Sequence, residues 1–216
     1  MKNYLNSKKN CFPRFYFISD DDLLSILGSS DIGAVQRHLI KLFDNCKTLT
    51  FDKRLISGMT SDEGETYRFE EGFKPEGSVE NWMTFLEETM ISTLRRKTKE
   101  GVYWYAKKSR VAWIKENLGM VVIVGCQIWW TWRVEDVFSK VKKGDKYAMK
   151  KESAKQTEEL NTLINLVRTD LEKTDPVGCL RRKINTLIII DVHGRDIVDR
   201  FVRDSILDAR EFEWES

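Results

Sequence analysis

From Ser78 to the C-terminus, apolar residues recur every three or four positions, and this period restricts the stretch to helices that each bury one face. Val79, Trp82, Met83, Leu86, Met90 and Leu94 form the first stripe, opened by Ser78 as a cap after the breaker Pro75-Glu76-Gly77. Ser109 to Asn117 reads as a second helix. The apolar run from Leu118 to Trp130 reads as another, nearly all buried. Val134, Val137, Phe138 and Val141 mark one more, and Leu160, Leu163, Ile164, Val167 and Leu171 the next. After a loop at Lys173-Thr174-Asp175-Pro176-Val177-Gly178, Leu180, Ile184, Leu187 and Ile188 begin a last long helix that reaches Ile206 or beyond.

The first third is different. Arg14 to Ser19 alternates loosely, is rich in aromatics and follows Pro13, which predicts a strand. Asp20-Asp21-Asp22 supplies a cap and first-turn acids for a short helix to Leu27, stopped at Gly28-Ser29-Ser30. Val35, Leu39, Leu42 and Phe43 predict one amphipathic helix from Ala34 to Asn45. Short extended pieces follow at Lys47 to Phe51, Ile56 to Thr60 and Thr66 to Glu70, with Ser61-Asp62-Glu63-Gly64-Glu65 as a hairpin loop. The expected fold is mainly α: an elongated helical bundle with a small antiparallel sheet in its first third. Residues 1–77 are expected to form a mixed α/β subdomain and residues 78–216 a helical one.

A chain of 216 residues is long enough to bury a substantial core as one large domain or two small ones. Its net charge of +2 implies no strong attraction to nucleic acid or anionic lipid. The N-terminus has no apolar stretch like a signal peptide, and the run from Leu118 to Trp132 is too short to span a bilayer. Cys11, Cys46, Cys126 and Cys179 lie far apart with no CxxC pair, so they read as buried free thiols of a reducing compartment.

Catalytic motifs are scarce. No G-x-x-x-x-G-K-[ST] loop occurs. Gly28-Ser29-Ser30-Asp31-Ile32-Gly33 has neither the lysine nor a preceding strand. Of the two histidines, His193 could work as a base with Asp191 or Asp196, since Asp196 falls three residues along the same helix. Nothing nearby supplies a nucleophile or oxyanion donors, so a polar helix face is the better reading. His38 lies beside an apolar stripe and reads as structural. Asp20, Asp21 and Asp22 point different ways on a helix, which suits capping rather than chelation, and Asp62, Glu63 and Glu65 form a solvated turn. Trp129, Trp130 and Trp132 beside Arg133, with Arg95, Arg96, Lys97, Lys107 and Lys108, invite comparison with a single-strand nucleic-acid platform. The balancing acids and the helical spacing favour an aromatic core, with one or two surface tryptophans for a partner.

Six segments, in order, resemble the dynein heavy chain family. Phe12-Pro13-Arg14-Phe15-Tyr16-Phe17-Ile18-Ser19, with Leu23-Leu24, is similar to its FPRFYFLS-x-x-x-LL segment. His38, Leu39 and Phe43 fall where that family carries a similar helix. Ile56-Ser57-Gly58-Met59-Thr60-Ser61-Asp62-Glu63-Gly64-Glu65 resembles its S-x-E-G-E hairpin, and Val79-Glu80-Asn81-Trp82-Met83 its V-E-x-W-L helix start. Gln127-Ile128-Trp129-Trp130-Thr131 with Val134-Glu135 resembles Q-I-x-W-T…V-E. Ile190-Asp191-Val192-His193-Gly194-Arg195-Asp196-Ile197-Val198 resembles I-D-V-H-A-R-D-V-V. Two departures stand out. Gly194 replaces the usual alanine, which should weaken its helix by ~1 kcal/mol. Asn117-Leu118-Gly119-Met120 replaces a segment containing Pro-Gly-Gln.

The resemblance implies the C-terminal half of the linker that precedes the first AAA+ module, with Phe12, Pro13, Arg14, Phe15, Tyr16, Trp82, Gln127, Trp130, Asp191, His193, Arg195 and Asp196 as family-signature positions. It implies a lever without catalytic residues, metal or cofactor of its own. ATP and Mg would belong to AAA+ modules that follow the segment like Glu211 to Ser216. The implied partners are the AAA+ ring of the same chain, other dynein subunits and, through the full motor, microtubules, with no nucleic acid and no membrane. Trp129-Trp130-Thr131-Trp132 and the tail from Asp208 look more axonemal than cytoplasmic, so the implied place is the cytoskeleton of a cilium or flagellum. A free-standing helical interaction scaffold is the alternative, and a small enzyme built on His193 a third reading.

Overall fold

The computed structural model describes residues 1–29, 32–169, 175, 178–210 and 214. The expected loop at Lys173–Gly178 therefore falls mostly outside the described residues. So do Leu171, Ser30, Asp31 and all of the segment Glu211–Ser216 except Trp214. The chain divides into two compact units, Met1–Arg96 and Lys97–Ser216.

In the first unit, helix α1 (Lys2–Cys11) precedes a 3-10 turn at Pro13–Phe17, where a strand was expected. The buried residues explain the difference. Phe12, Phe15 and Ile18 are buried at a spacing of three, whereas Phe17, which an alternating strand would place with Phe15, is 69% exposed. Pro13 at the first position presets φ for the turn. Helix α2 (Asp20–Gly28) is capped by Ser19, whose Oγ accepts from the Asp22 N–H, so the three aspartates occupy the first turn rather than the cap. The single helix expected over Ala34–Asn45 is two short ones, α3 (Ile32–Gln36) and α4 (Leu39–Leu42), with His38 at the break. Asn45, at φ 58, turns the chain into the sheet.

Strands β1 (Thr48–Asp52), β2 (Leu55–Thr60) and β3 (Thr66–Phe73) form an antiparallel sheet in that order. The β2–β3 turn is the expected hairpin. The Ser61 N–H donates to the Glu65 carbonyl at 2.8 Å, and Gly64 takes φ 89. A Cβ on Gly58 would collide with the Tyr67 carbonyl, so the irregular pairing between Ile56 and Gly58 requires glycine. Helix α5 (Val79–Tyr105) buries Trp82, Met83 and Leu86, with Met90 and Leu94 half-buried, and the division between the units falls within it.

The second unit is helical: α6 (Arg110–Glu116), α7 (Gly119–Lys142), α8 (Ala148–Thr169) and α9 (Cys179–Asp204). Ser109 caps α6 by accepting from the Ala112 N–H. The two helices expected between Leu118 and Val141 are one. No breaker separates Trp132 from Val134, so the ladder continues. Nor is its first half nearly all buried: Met120, Val124, Ile128 and Trp132, four apart, form an exposed stripe. Helix α8 starts well before Leu160 because Ala148 and Met149 are already buried. Helix α9 ends at Ser205, which adopts φ 59.

Helix α8 packs along α9 and α7, and two apolar clusters fill the spaces between them. One joins Trp113, Ile114, Val122, Cys126, Leu163, Leu166, Ile184 and Leu187. The other joins Val134, Val137, Phe138, Ala148, Met149, Val198, Phe201 and Ile206. Among the described residues, no helix is long and apolar enough to cross a membrane.

Candidate functional site

Between those two clusters each helix changes from apolar to charged. On α7 the change comes at Trp130 and Arg133, on α8 at Glu152, Gln156 and Glu159, and on α9 at Asp191. Arg110 at the start of α6 joins them. The residues meet as a polar layer through the helical unit. Arg110 Nη2 lies 2.7 Å from Asp191 Oδ2. Arg133 lies 2.9 Å from Glu159 Oε2 and 2.6 Å from Glu152 Oε1. Arg110 reaches Glu159 at 3.6 Å, tying the two pairs into one network. The Gln156 amide donates to Glu152 at 3.0 Å and accepts from the Trp130 indole N–H at 3.2 Å.

Three carboxylates against two guanidiniums leave this layer with one unbalanced negative charge. Burial pushes the Asp191 carboxyl above its ordinary pKa, and the adjacent Arg110 only partly offsets it. Arg110 is held firmly charged: the Asp191 carboxylate outweighs the cost of burial. Burial likewise raises the Cys126 thiol, whose Sγ is 3.7 Å from Arg110 Nη2. The cavity enclosed by the layer is about 20 Å³, far too small for a substrate. Two larger grooves open on either side. One, about 350 Å³, lies between α7 and α9. The other, about 320 Å³, lies among the end of α5, α7 and α8.

The signature residues expected from sequence fall into separate groups. In the first unit, Arg14 is a clamp: Nε sits 2.8 Å from Glu87 Oε1 and Nη1 donates to the Leu42 carbonyl at 3.0 Å. Its guanidinium lies 5.0 Å from the centre of the Phe43 ring. Phe12 and Phe15 pack edge to face at 4.9 Å beneath it, and Pro13 opens the turn. Tyr16 is exposed, with its hydroxyl 3.1 Å from Asn10 Oδ1. Trp82 is buried in the same unit.

In the second unit, Gln127, Trp130, Asp191 and His193 line the α7/α9 groove together. Asp191 belongs to Arg110, and Asp196 to its neighbour Arg195 at 2.6 Å, so neither acid orients His193. Trp130 lies against Gly194: a Cβ there would come within 2.8 Å of the indole nitrogen. Arg110, Glu152, Gln156 and Glu159 were not anticipated, and Arg133 was noted only as a basic neighbour of the tryptophans. Their signal was present, since 152, 156 and 159 follow the helical line joining Met149 to Leu163. Of the tryptophans, Trp113 is fully buried and donates to the Gly101 carbonyl at 2.7 Å, while Trp104 and Trp132 are exposed. None of the four cysteines is in a disulfide, but only Cys46 and Cys126 are buried as expected; Cys179 is half-buried and Cys11 exposed.

A family model described as dynein heavy chain, N-terminal region 2, matches residues 1–101. The whole chain is 50% identical, over 222 residues, to dynein axonemal heavy chain 10 of Homo sapiens. It is 55% identical over 218 residues to the dynein-1-alpha heavy chain of the flagellar inner arm I1 complex of Chlamydomonas reinhardtii. A ciliary dynein beta chain of Tripneustes gratilla is 38% identical over 99% of this chain. The chain spans about 5% of the length of each of these relatives. With similarity from end to end and a matching N-terminal region, this chain belongs to the dynein heavy chain family as a segment of its N-terminal part.

Proposed function

We propose that this segment is the ring-proximal half of an axonemal dynein linker, a non-catalytic lever that passes ATP-driven changes of an AAA+ ring into movement along microtubules. The end-to-end similarity to axonemal heavy chains carries the reading. The helical unit suits a lever. Its long helices are locked by two apolar clusters, and a cross-braced ionic layer resists sliding of one helix past another. In this reading the chain works inside a dynein complex of a cilium or flagellum, against the ring of its own heavy chain. ATP and Mg bind in AAA+ modules and not here. The residues of this segment do not suit a nucleotide, since Gly28 closes a helix instead of following a strand and no phosphate-loop lysine is present.

The test is a full-length heavy chain carrying this segment. Trp113→Ala empties the centre of one cluster, and should slow microtubule gliding several-fold while leaving basal ATP turnover largely intact. Equal loss of both would contradict a mechanical role. On the segment alone, saturating Mg-ATP should leave the thermal midpoint unchanged. A nucleotide at a hundredfold excess over its Kd would add about 2.7 kcal/mol of stability, and a midpoint shift of that size would overturn the reading.

A further inference from the structure

We infer that the polar layer between the two apolar clusters is completed by one internal water molecule, held by Arg110 of α6, Arg133 of α7 and Asp191 of α9. The ion pairs of the layer do not use all of its polar atoms. Arg110 Nε, Arg133 Nε and Asp191 Oδ2 are each buried and make no hydrogen bond among the described residues. Asp191 Oδ2 lies 2.7 Å from Arg110 Nη2, but the well-formed hydrogen bond from that nitrogen goes to Oδ1 at 2.8 Å. Arg133 Nη2 also lacks a well-formed bond, yet it is neutralised by Glu152 Oε1 at 2.6 Å. A buried N–H without an acceptor is costly, because it has lost its solvent and gained nothing in return. The three side chains line one cavity of about 20 Å³. Both guanidiniums also approach a single oxygen, Glu159 Oε2, at 3.6 and 2.9 Å, so they converge on the same part of the layer.

Volume, hydrogen-bonding capacity and charge select the occupant. A buried water needs about 10–15 Å³ of such space and makes about three hydrogen bonds. The cavity supplies that space once, and the unused atoms supply that number of bonds. Water accepts from the two Nε–H groups and donates to Asp191 Oδ2, a combination of roles that suits its two lone pairs and its protons. A cation would face two guanidinium donors, and an anion would face the carboxylates of Glu152, Glu159 and Asp191. Either ion would also have to shed its hydration shell to enter so small a space. Apolar cavities stay dry, but this one is lined by charged and amide groups. The bridge joins α7 to α9 at the level where their apolar contacts are interrupted. The inference does not depend on the lever reading, because it concerns the interior of the helical unit alone.

The experiment is a crystal structure of the 216-residue chain, with further crystals soaked in rubidium bromide and measured by anomalous diffraction. One water peak should lie about 2.7–3.2 Å from Arg110 Nε, Arg133 Nε and Asp191 Oδ2. Neither rubidium nor bromide should enter the layer. In solution, oxygen-17 relaxation dispersion counts the waters that exchange slowly. Cys126 lines the cavity, with its Sγ 3.7 Å from Arg110 Nη2. Cys126→Val adds a methyl group there and should lose one slow water, whereas Cys126→Ala should keep the wild-type count. Circular dichroism checks that both variants are folded, and the wild-type crystal decides the matter if the valine variant is not. No peak at this position, an anomalous ion in its place, Nε groups turned onto protein acceptors, or equal water counts in the two folded variants would each overturn the inference.

Discussion

Gly194 shows how one residue can be misjudged from its helix alone. Propensity makes it a defect of ~1 kcal/mol relative to alanine. In the packed protein it lets α9 approach the Trp130 ring, which is held by Gln156 on one side and meets Trp214 at 5.8 Å. Gly194→Ala should therefore destabilise the chain by about 1–2 kcal/mol in urea titration, because overpacking outweighs the propensity gain. Combining it with Trp130→Leu should cost less than the two changes added separately. Asp191 gives a second residue-scale expectation, for pH. Its folded pKa is raised, so between the unfolded value of 3.8 and the folded one the native state binds more protons. Stability from this group then falls as pH rises through that window, and Asp191→Asn should remove that part of the profile. Glu80 acts in the opposite direction. Burial pushes its carboxyl up, but hydrogen bonds from Lys8, the backbone and Ser78, together with the Lys8 charge, jointly hold it below normal, so its contribution is lost as pH falls. The pairing of Arg110 with Asp191 was not legible in the sequence. Eighty-one positions separate them, and neither residue has a local pattern that names the other.

At the scale of elements, the period of burial decides which readings hold. The segment Arg14 to Ser19 has the composition of a strand, yet its buried positions are three apart. Phe15→Ala should cost about 3–5 kcal/mol, while Phe17→Ala, on the exposed side, should change the urea midpoint little. A strand would make the two losses comparable. Ser19→Ala should cost about 1 kcal/mol by removing the acceptor for the Asp22 N–H, whereas Asp20→Asn should cost less. Helix α7 shows the converse case. Its apolar run is long because it serves two clusters in succession and also carries the uncovered Met120–Trp132 face, so hydrophobic length overstated burial. The hairpin at Ser61–Glu65 was legible because Gly64 and the serine cap act over a few bonds.

In the molecule as a whole, stability within the helical unit rests on two apolar clusters separated by an ionic layer. Arg133→Met alone should cost about 3–5 kcal/mol, since it leaves Glu152 buried without its cation and Glu159 with only Arg110 at 3.6 Å. Replacing Arg133, Glu152 and Glu159 together by apolar residues of similar volume should cost much less, and circular dichroism with urea titration would compare the two. The sequence by itself determined that the chain is mainly helical with a small antiparallel sheet, where most elements begin, and the family to which it belongs. Those properties follow from local period, caps and turns, or from order along the chain. Only the tertiary structure decided that Pro13–Phe17 is a turn, that α7 is unbroken, that Asp191 is bound to Arg110 instead of orienting His193, and that Gly194 makes room for Trp130. Each of these depends on which side chains meet across helices, and the energy of such contacts is set by packing and desolvation between residues that are distant in sequence.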